Sequence, residues 1–297
     1  MLKKSISIFV ISILISITCS FVVLAKPNTT ITYTEEEYNL KQKSEPTCDN
    51  LVDFEAEIKS PAKIRNIVEE DLKKRNKGIE TEIKFDTNKS NNFFVLSKNS
   101  SFDRDKAKAY AEKHATEPNT KSYPYYRKSD GAGVDCANFV SQVLYAGGMS
   151  EKGTNWGDYN SWFCNTTSAS ELKKCAITWR SANYFTKHWG NIDGVGANRA
   201  EKYTEMTVND AVKNFNDLYI TLWPGDVIQQ VGSDGIAYHT QVVHDYGKKY
   251  GSTRNDVFIA QHSSDAKEVS LYDYLKYKKD NGYGTDKIFI YEIKSGS

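Results

Sequence analysis

The spacing of apolar residues changes near residue 220, and this change constrains the fold more than any other feature of the chain. Before that point, residues 101–115, 136–146 and 207–218 repeat apolar positions every three or four residues, as one face of a helix does. After it, a period of two predicts four strands, at 226–231, 236–246, 256–262 and 287–293. Helices followed by a run of strands predict an α+β fold with an antiparallel sheet.

The first 25 residues have the pattern of a secretory signal peptide. Met1–Lys4 is basic, residues 5–25 carry no charge, and the small residue Ala25 precedes Lys26 as at a cleavage site. An uncleaved membrane anchor is the alternative, because the uncharged stretch is close to the length that spans a bilayer. On either interpretation we expect a secreted or cell-surface protein, including one in the cell wall. It would contact a membrane only through this segment, and only if the segment is retained.

The rest of the chain divides near residue 100. Residues 26–100 are polar, contain one helical stretch at 61–75, and are expected to form a stalk or a small accessory region. All five tryptophans follow residue 150, and we place the main domain at 101–297. The whole chain has 39 basic and 38 acidic side chains, a balance that gives no reason to expect a nucleic-acid partner.

The expected state of the cysteines follows from export. If Cys19 leaves with the signal peptide, Cys48, Cys136, Cys164 and Cys175 remain and can form disulfides. Cys164 and Cys175 are close in sequence, so we expect them to form a pair. A disulfide between the other two is the alternative state of Cys136, and it would make Cys136 structural. No C-x-x-C or H-E-x-x-H spacing occurs, so neither a metal ion nor another cofactor is expected.

The stretch Asp135–Gly148 combines a helix start with a reactive residue type. Asp135 suits an N-cap, so Cys136 is expected to be the first helical residue. The backbone N–H groups and the dipole at a helix start favour a thiolate there, and a thiolate beside a base is a nucleophile. A small cysteine buried in the core is the alternative interpretation.

Five histidines are available as the base. His239 and His244 lie an odd number of residues apart on one predicted strand, so they cannot both face the cysteine helix unless the strand bulges. We expect His239 to face it. The next strand ends in Gln261 and His262, either of which could orient the base. The remaining two histidines are expected to be structural: His114 and His188.

Four segments together resemble one known family. Residues 135–149, DCANFVSQVLYAGGM, resemble the signature of the putative amidase domain family, written D-C-T-N-F-V-S-Q with a following glycine pair. The segment DRDKAKAYAEKHATEPN resembles the opening helix of that family. The segments WPGDVIQQ and HTQVV resemble its Gly-Asp turn and its histidine strand, and IAQHSSD resembles its Gln-His segment. The resemblance covers roughly residues 101–293. Ala137 stands where Thr or Ser is usual, and an insert with Cys164 and Cys175 is not a feature of the family.

That family is similar to the papain-like superfamily, which includes NlpC-type and CHAP cell-wall hydrolases. The resemblance implies a cysteine helix packed on an antiparallel sheet, with Cys136 as nucleophile and His239 as general base. It assigns His262, or alternatively Gln261, to orient the base. The backbone N–H of Cys136 would hold the oxyanion. The candidates for a further oxyanion or substrate contact are Tyr125 or Tyr126, by analogy with a tyrosine upstream of the cysteine in NlpC-type enzymes, and Asp135. Ordinary loop packing is the alternative role of the two tyrosines.

Two functions are compatible with these features. The first is a secreted, cysteine-dependent amidase or peptidase that hydrolyses an amide bond in cell-wall peptidoglycan or in another peptide substrate. The second is a non-catalytic surface module that binds wall glycan or a protein partner through the tryptophans and tyrosines at 156–189. A cysteine, a histidine and a third polar group, in the order of the family, favour the enzyme.

Overall fold

Six strands form one antiparallel sheet. A computed structural model describes residues 61–75, 99–126, 135–190, 194–249 and 252–295. These residues all lie in one unit, Ile31–Ser297, whereas the other unit, Met1–Thr30, falls outside them together with the expected signal peptide. The strands lie side by side in the order β1-β6-β2-β3-β4-β5. Their bounds are β1 Lys202–Thr207, β2 Val227–Val231, β3 Ala237–Lys248, β4 Asn255–Gln261, β5 Ala266–Ser270 and β6 Lys287–Glu292.

Eight α-helices accompany the sheet in the described ranges. None of them is long and apolar enough to span a membrane. A 3₁₀ turn at Leu172–Lys174 and a π turn at Lys279–Tyr283 complete the helical segments. The bounds of the helices are α1 Pro61–Arg75, α2 Arg104–His114, α3 Cys136–Ala146, α4 Ile177–Arg180, α5 Ala182–Gly190, α6 Val208–Lys213, α7 Phe215–Thr221 and α8 Leu271–Lys278.

Helices cover both faces of the sheet, so the core has two layers. On one face, Phe139 and Val140 of α3 pack in a cluster with Val242 of β3. On the other face, Val68 of α1 packs in a cluster with Val243 of β3. Adjacent residues of β3 therefore belong to opposite layers, as the alternation of side chains along a strand requires.

The helix α1 belongs to this core. Ile64, Ile67 and Val68, which recur at helical spacing, are buried in the same cluster as α8 and the sheet. It is the part of the expected stalk or accessory region that the structure describes; residues 26–60 and 76–98 lie outside the described ranges. In this part of the region, the chain packs on the main domain.

The elements with strong periodicity were predicted well. The four expected strands correspond to β2, β3, β4 and β6, and the expected helices at 61–75 and 136–146 have the same bounds in the structure. The helix expected at 207–218 is two helices, α6 and α7, that meet at Asn214. Sequence reasoning missed two strands, β1 and β5, and three helices, α4, α5 and α8. The two missed strands are short and carry several charged residues, so they lack the apolar alternation that marks the others.

A buried ion pair holds the Gly-Asp turn that precedes β2. Arg104, at the start of α2, donates to the Asp226 carboxylate at 2.9 Å and to the Pro224 carbonyl at 2.8 Å. The other carboxylate oxygen of Asp226 accepts the backbone N–H of Trp223. Because both charges are buried, each needs these contacts to offset its lost hydration. The turn fixes where β2 begins against the helix layer.

The structure joins Cys164 and Cys175 in a disulfide, the pair expected from their closeness in sequence. The two residues also form an isolated antiparallel bridge between two short segments near α4. The described residues leave Cys136 as a buried thiol outside any disulfide, and Cys48 lies outside the described ranges.

Replacing both Cys164 and Cys175 by Ala should lower the free energy of unfolding by about 2–3 kcal/mol, because the bridge closes a short loop and restricts the unfolded chain. Urea unfolding of the oxidised protein and of the double variant measures the difference. Equal unfolding midpoints and slopes for the two proteins would contradict the expectation.

Candidate active site

Cys136 is the first residue of α3 and is fully buried. Asp135 occupies the N-cap position, as expected, but its side chain makes no capping hydrogen bond. Instead, one carboxylate oxygen accepts the backbone N–H of Tyr126 at 2.9 Å and the side-chain amide of Asn138 at 2.8 Å. Asp135 therefore ties the segment before the cysteine to the first turn of the helix.

The second carboxylate oxygen of Asp135 binds His262. Its distance to His262 Nδ1 is 2.5 Å, and His262 Nε2 donates to the carbonyl of His114 at 2.7 Å. The imidazole also stacks on Phe139, with ring centroids 4.1 Å apart. Burial lowers the pKa of His262, but the hydrogen bond and the charge of Asp135 outweigh burial and raise this pKa above its ordinary value.

These contacts correct the role expected for His262. A residue that orients His239 must bond to its ring, yet both ring nitrogens of His262 are engaged by Asp135 and by the His114 carbonyl. His262 instead clamps the start of α3 to the end of α2. A carbonyl only accepts hydrogen bonds, so Nε2 carries a proton here, and the ring is poorly suited to take another proton from a thiol.

His239 lies on β3 opposite Gln230 of β2. Val243 of β3 packs in the layer of α1 and α8. His239 lies an even number of residues before it on the same strand, so its side chain faces the same layer. Its Nε2 lies 3.4 Å from Oδ2 of Asp71, and both side chains are fully buried. The expected arrangement, with His239 pointing across one sheet face at the cysteine helix, is therefore corrected: α3 covers the opposite face, so His239 can approach Cys136 only at the end of the sheet.

A buried chain of hydrogen bonds continues from Asp71. Gln241 donates to Gln261 at 2.6 Å, and Gln261 donates to Asp71 at 3.0 Å. Ser264 and Tyr274 donate to the same carboxylate at 2.8 Å and 3.1 Å. Gln261, the alternate orienting residue, thus contacts the carboxylate beside His239.

The turn at residues 262–265 contacts both Asp135 and Asp71. Its Ser263 accepts the backbone N–H of Asp135 at 2.8 Å, and its Ser264 donates to Asp71 at 2.8 Å. The ladder between β3 and β4 runs from Lys248–Asn255 to Val242–Ala260 and stops three residues short of His239. Asp135, which precedes Cys136, and Asp71, which lies beside His239, therefore contact the same turn, beyond the last paired residues of the two strands.

The other candidate residues have separate roles. Tyr125 donates to Asp265 at 2.8 Å. His244 accepts the backbone N–H of Glu268 and lies 3.6 Å from Glu112. His188 contacts the Tyr159 carbonyl, and burial lowers its pKa to about 3, which fits the structural role expected for it. His114 contacts the carbonyl of Glu117.

Asp71 is the residue of this site that sequence reasoning missed. A signal was present, because Ile64, Ile67, Val68 and Asp71 fall at i, i+3, i+4 and i+7 on one helix face. A carboxylate on the apolar face of a helix is expected to meet a buried partner. No group of three or more His, Cys, Asp or Glu side chains in the described ranges could hold a metal ion.

A family model describes most of this site. The model of the putative amidase domain matches residues 101–285, which include Cys136, His239 and His262. The chain belongs to this family. Neither the curated proteins nor the solved structures contain a match, so the papain-like relation stays a prediction. The putative amidase domain as matched excludes α1 and therefore excludes Asp71.

The pair of His262 and Asp135 predicts a pH dependence of stability. Because the pKa of His262 is raised in the folded protein, the contribution of His262 to the free energy of unfolding is fully present below its unfolded pKa of about 6.5. It is lost as pH rises through the folded pKa, by roughly 1.4 kcal/mol per unit of pKa shift. Urea unfolding between pH 5 and pH 9 measures this loss.

The double variant His262→Phe and Asp135→Asn is the control, since it removes both titrating groups and retains an aromatic ring on Phe139. Its stability should vary less over this pH range than that of the natural protein. Two parallel pH profiles would show that the pair does not titrate as described.

Proposed function

We propose that the protein is a secreted, cysteine-dependent amidase or peptidase in which Cys136 attacks an amide carbonyl. The observation that carries the proposal is the position of Cys136, a thiol at the first residue of a helix inside a putative amidase domain. The helix dipole and the backbone N–H groups of the first turn favour the thiolate. Membership of the family supports an amide hydrolase.

His239 is the better candidate for the base. Both ring nitrogens of His262 have partners, and one of them is a proton donor to a carbonyl. In His239, a proton held on Nε2 toward Asp71 makes Nδ1 the nitrogen that accepts the thiol proton. The proposal requires the thiol and the ring to meet at the end of the β3–β4 ladder, beside the turn at residues 262–265.

The reaction then follows the usual two steps. The Cys136 thiol gives its proton to His239, and the thiolate forms a bond to the carbonyl carbon of the substrate. The tetrahedral intermediate collapses, the C–N bond breaks, and the imidazolium gives its proton to the leaving amine. Water, deprotonated by His239, attacks the resulting thioester and releases the carboxylic acid and the thiol.

Tyr126 is the preferred side-chain donor to the oxyanion, beside the backbone N–H of Cys136. Its side chain is 2% exposed, and its hydroxyl has no hydrogen-bond partner among the described residues. Its backbone bonds to Asp135, next to the cysteine. Burial raises the pKa of Tyr126 to about 12, so the hydroxyl remains a proton donor at neutral pH. The Tyr125 hydroxyl is committed to Asp265, and the Asp135 carboxylate is held by its own partners.

One observation keeps the non-catalytic module as a second candidate: Cys136 is 0% exposed, so a substrate needs local opening to reach it. A different observation weakens that candidate. Trp162, Trp179 and Trp189, which were expected to offer a binding surface, are fully buried in the core cluster. Aromatic rings that fill a core cannot stack on glycan.

The proposed substrate is peptidoglycan or a peptide outside the cytoplasm. The uncharged segment at residues 5–25 supports export. The disulfide supports an oxidising location, since disulfides persist mainly outside the cytoplasm. The experiment that tests the proposal is digestion of purified peptidoglycan, with mass analysis of the products.

Cys136→Ala should abolish the release of products, because the nucleophile is gone. His239→Ala should reduce turnover by about 100- to 10,000-fold, since the thiol then lacks its base. His244→Gln is the matched control, because it changes the other histidine of β3 and keeps an acceptor for Glu268. Its turnover should stay close to that of the natural protein.

Iodoacetamide labelling of the folded protein separates the two candidate functions. An activated Cys136 should react with iodoacetamide at a pH well below about 8.5, which is the ordinary pKa of a cysteine thiol. A Cys136 that reacts only after unfolding, with no product from peptidoglycan or peptides, would contradict catalysis and favour the module.

Tyr126→Phe should lower kcat by about 100-fold, because one donor to the oxyanion is lost while the ring that fills the core is retained. Tyr125→Phe should change kcat much less, since its hydroxyl bonds to Asp265. Steady-state kinetics on a peptide substrate measures both variants. The reverse order of effects would assign the oxyanion contact to Tyr125.

A further inference from the structure

We infer that Asp71, which lies on α1 outside the family match, is the residue that positions His239 for catalysis. The inference rests on the proposed function, since it assigns the third member of the proposed Cys136–His239 pair. It gives the N-terminal helix a part in the chemistry of a domain that begins, by its family match, at residue 101.

The first step is the cost of burying Asp71. Its side chain is 0% exposed, on the helix face where Ile64, Ile67 and Val68 fill the core. A carboxylate in such a place loses its hydration and needs donors or a cation in return. A residue of this type on an apolar helix face therefore points to a specific partner.

The second step is the identity of the partners. Oδ1 accepts the Ser264 hydroxyl, and Oδ2 accepts Gln261 Nε2 and the Tyr274 hydroxyl. These three donors are neutral. His239 Nε2 lies 3.4 Å from Oδ2, and this imidazole can become a cation within the physiological pH range. The distance is that of an ion pair, and such contacts commonly shorten when substrate binds.

The third step is the effect on the imidazole. A carboxylate at Nε2 holds the ring in the tautomer with its proton on Nε2 and the lone pair on Nδ1. The same carboxylate stabilises the imidazolium that forms when Nδ1 takes a proton. Gln261 and Ser264 fix the carboxylate in turn. The arrangement is that of a cysteine–histidine–aspartate group, with the aspartate supplied by a distant part of the chain.

Tyr274 and Lys278 are two further titratable groups in this part of the structure. Burial raises the pKa of Tyr274 well above its ordinary value, so this hydroxyl stays neutral. Lys278 donates to Gln230 and to the hydroxyl of Tyr238, and its Nζ lies 3.5 Å from Asp286. The charge of Lys278 is thus paired with a second carboxylate, that of Asp286, whereas Asp71 lies within ion-pair distance of His239.

The test compares Asp71→Asn with Glu70→Gln in the full-length protein. The two changes remove one charge each from adjacent positions of α1, but Glu70 is half-exposed whereas Asp71 is buried. The readout is the rate of Cys136 alkylation by iodoacetamide as a function of pH, followed by mass spectrometry of the labelled peptide. Circular dichroism and urea unfolding establish which fraction of each variant is folded.

Asp71→Asn should move the alkylation profile of Cys136 to higher pH and slow labelling near neutral pH by about tenfold to a hundredfold, because the imidazolium loses its counter-charge. Glu70→Gln should leave the profile unchanged. In the natural protein, ¹⁵N NMR of the His239 ring should show the proton of the neutral form on Nε2. This last measurement needs no variant and stands even if Asp71→Asn fails to fold.

Two outcomes would overturn the inference. One is a folded Asp71→Asn protein with the alkylation profile of the natural protein. The other is a neutral His239 ring with its proton on Nδ1. Failure of the proposed function gives a different result: His239→Ala would then leave the alkylation profile unchanged as well. A shift with His239→Ala but none with Asp71→Asn would keep the Cys136–His239 pair and remove Asp71.

Discussion

The central sheet is buried on both faces, and this burial dictates how its polar side chains are bonded. All five residues of β2 and the first eight of β3 are buried. A polar side chain in such a strand costs about 1–3 kcal/mol if it stays without a hydrogen bond. The glutamines of β2 and β3 meet this cost by bonding to one another, to Thr240 and to the helix layers. These hydrogen bonds fix the positions of the polar side chains along the two strands.

Two buried carboxylates lie on either side of one turn, and together they define the candidate site. The Asp135 carboxylate binds His262, and the Asp135 backbone N–H donates to Ser263. The Asp71 carboxylate accepts hydrogen bonds from Ser264 and Gln261. Each carboxylate has a histidine beside it. The two histidines differ in their roles. Both ring nitrogens of His262 are bonded and hold the start of α3, whereas Nδ1 of His239 is the proposed acceptor of the thiol proton.

The family match and the physical core do not share a boundary. The matched residues begin at 101, but α1, which precedes them, fills part of the layer that covers β3 and β4. A sheet whose two faces must both be covered can take its cover from any part of the chain. For the same reason a residue outside the matched segment can reach a position beside His239.

Sequence analysis predicted the local features: the change from helical to strand period, the bounds of the cysteine helix, the pairing of Cys164 with Cys175, and the family. These depend on residues close together in the chain, so their patterns are visible without a structure. The contacts of His262 with Asp135 and of His239 with Asp71 became visible only in the three-dimensional structure. Such contacts join residues far apart in sequence, 190 positions for Gln261 and Asp71. Local periodicity gives the face of a strand, but the packing of two layers decides what that face meets.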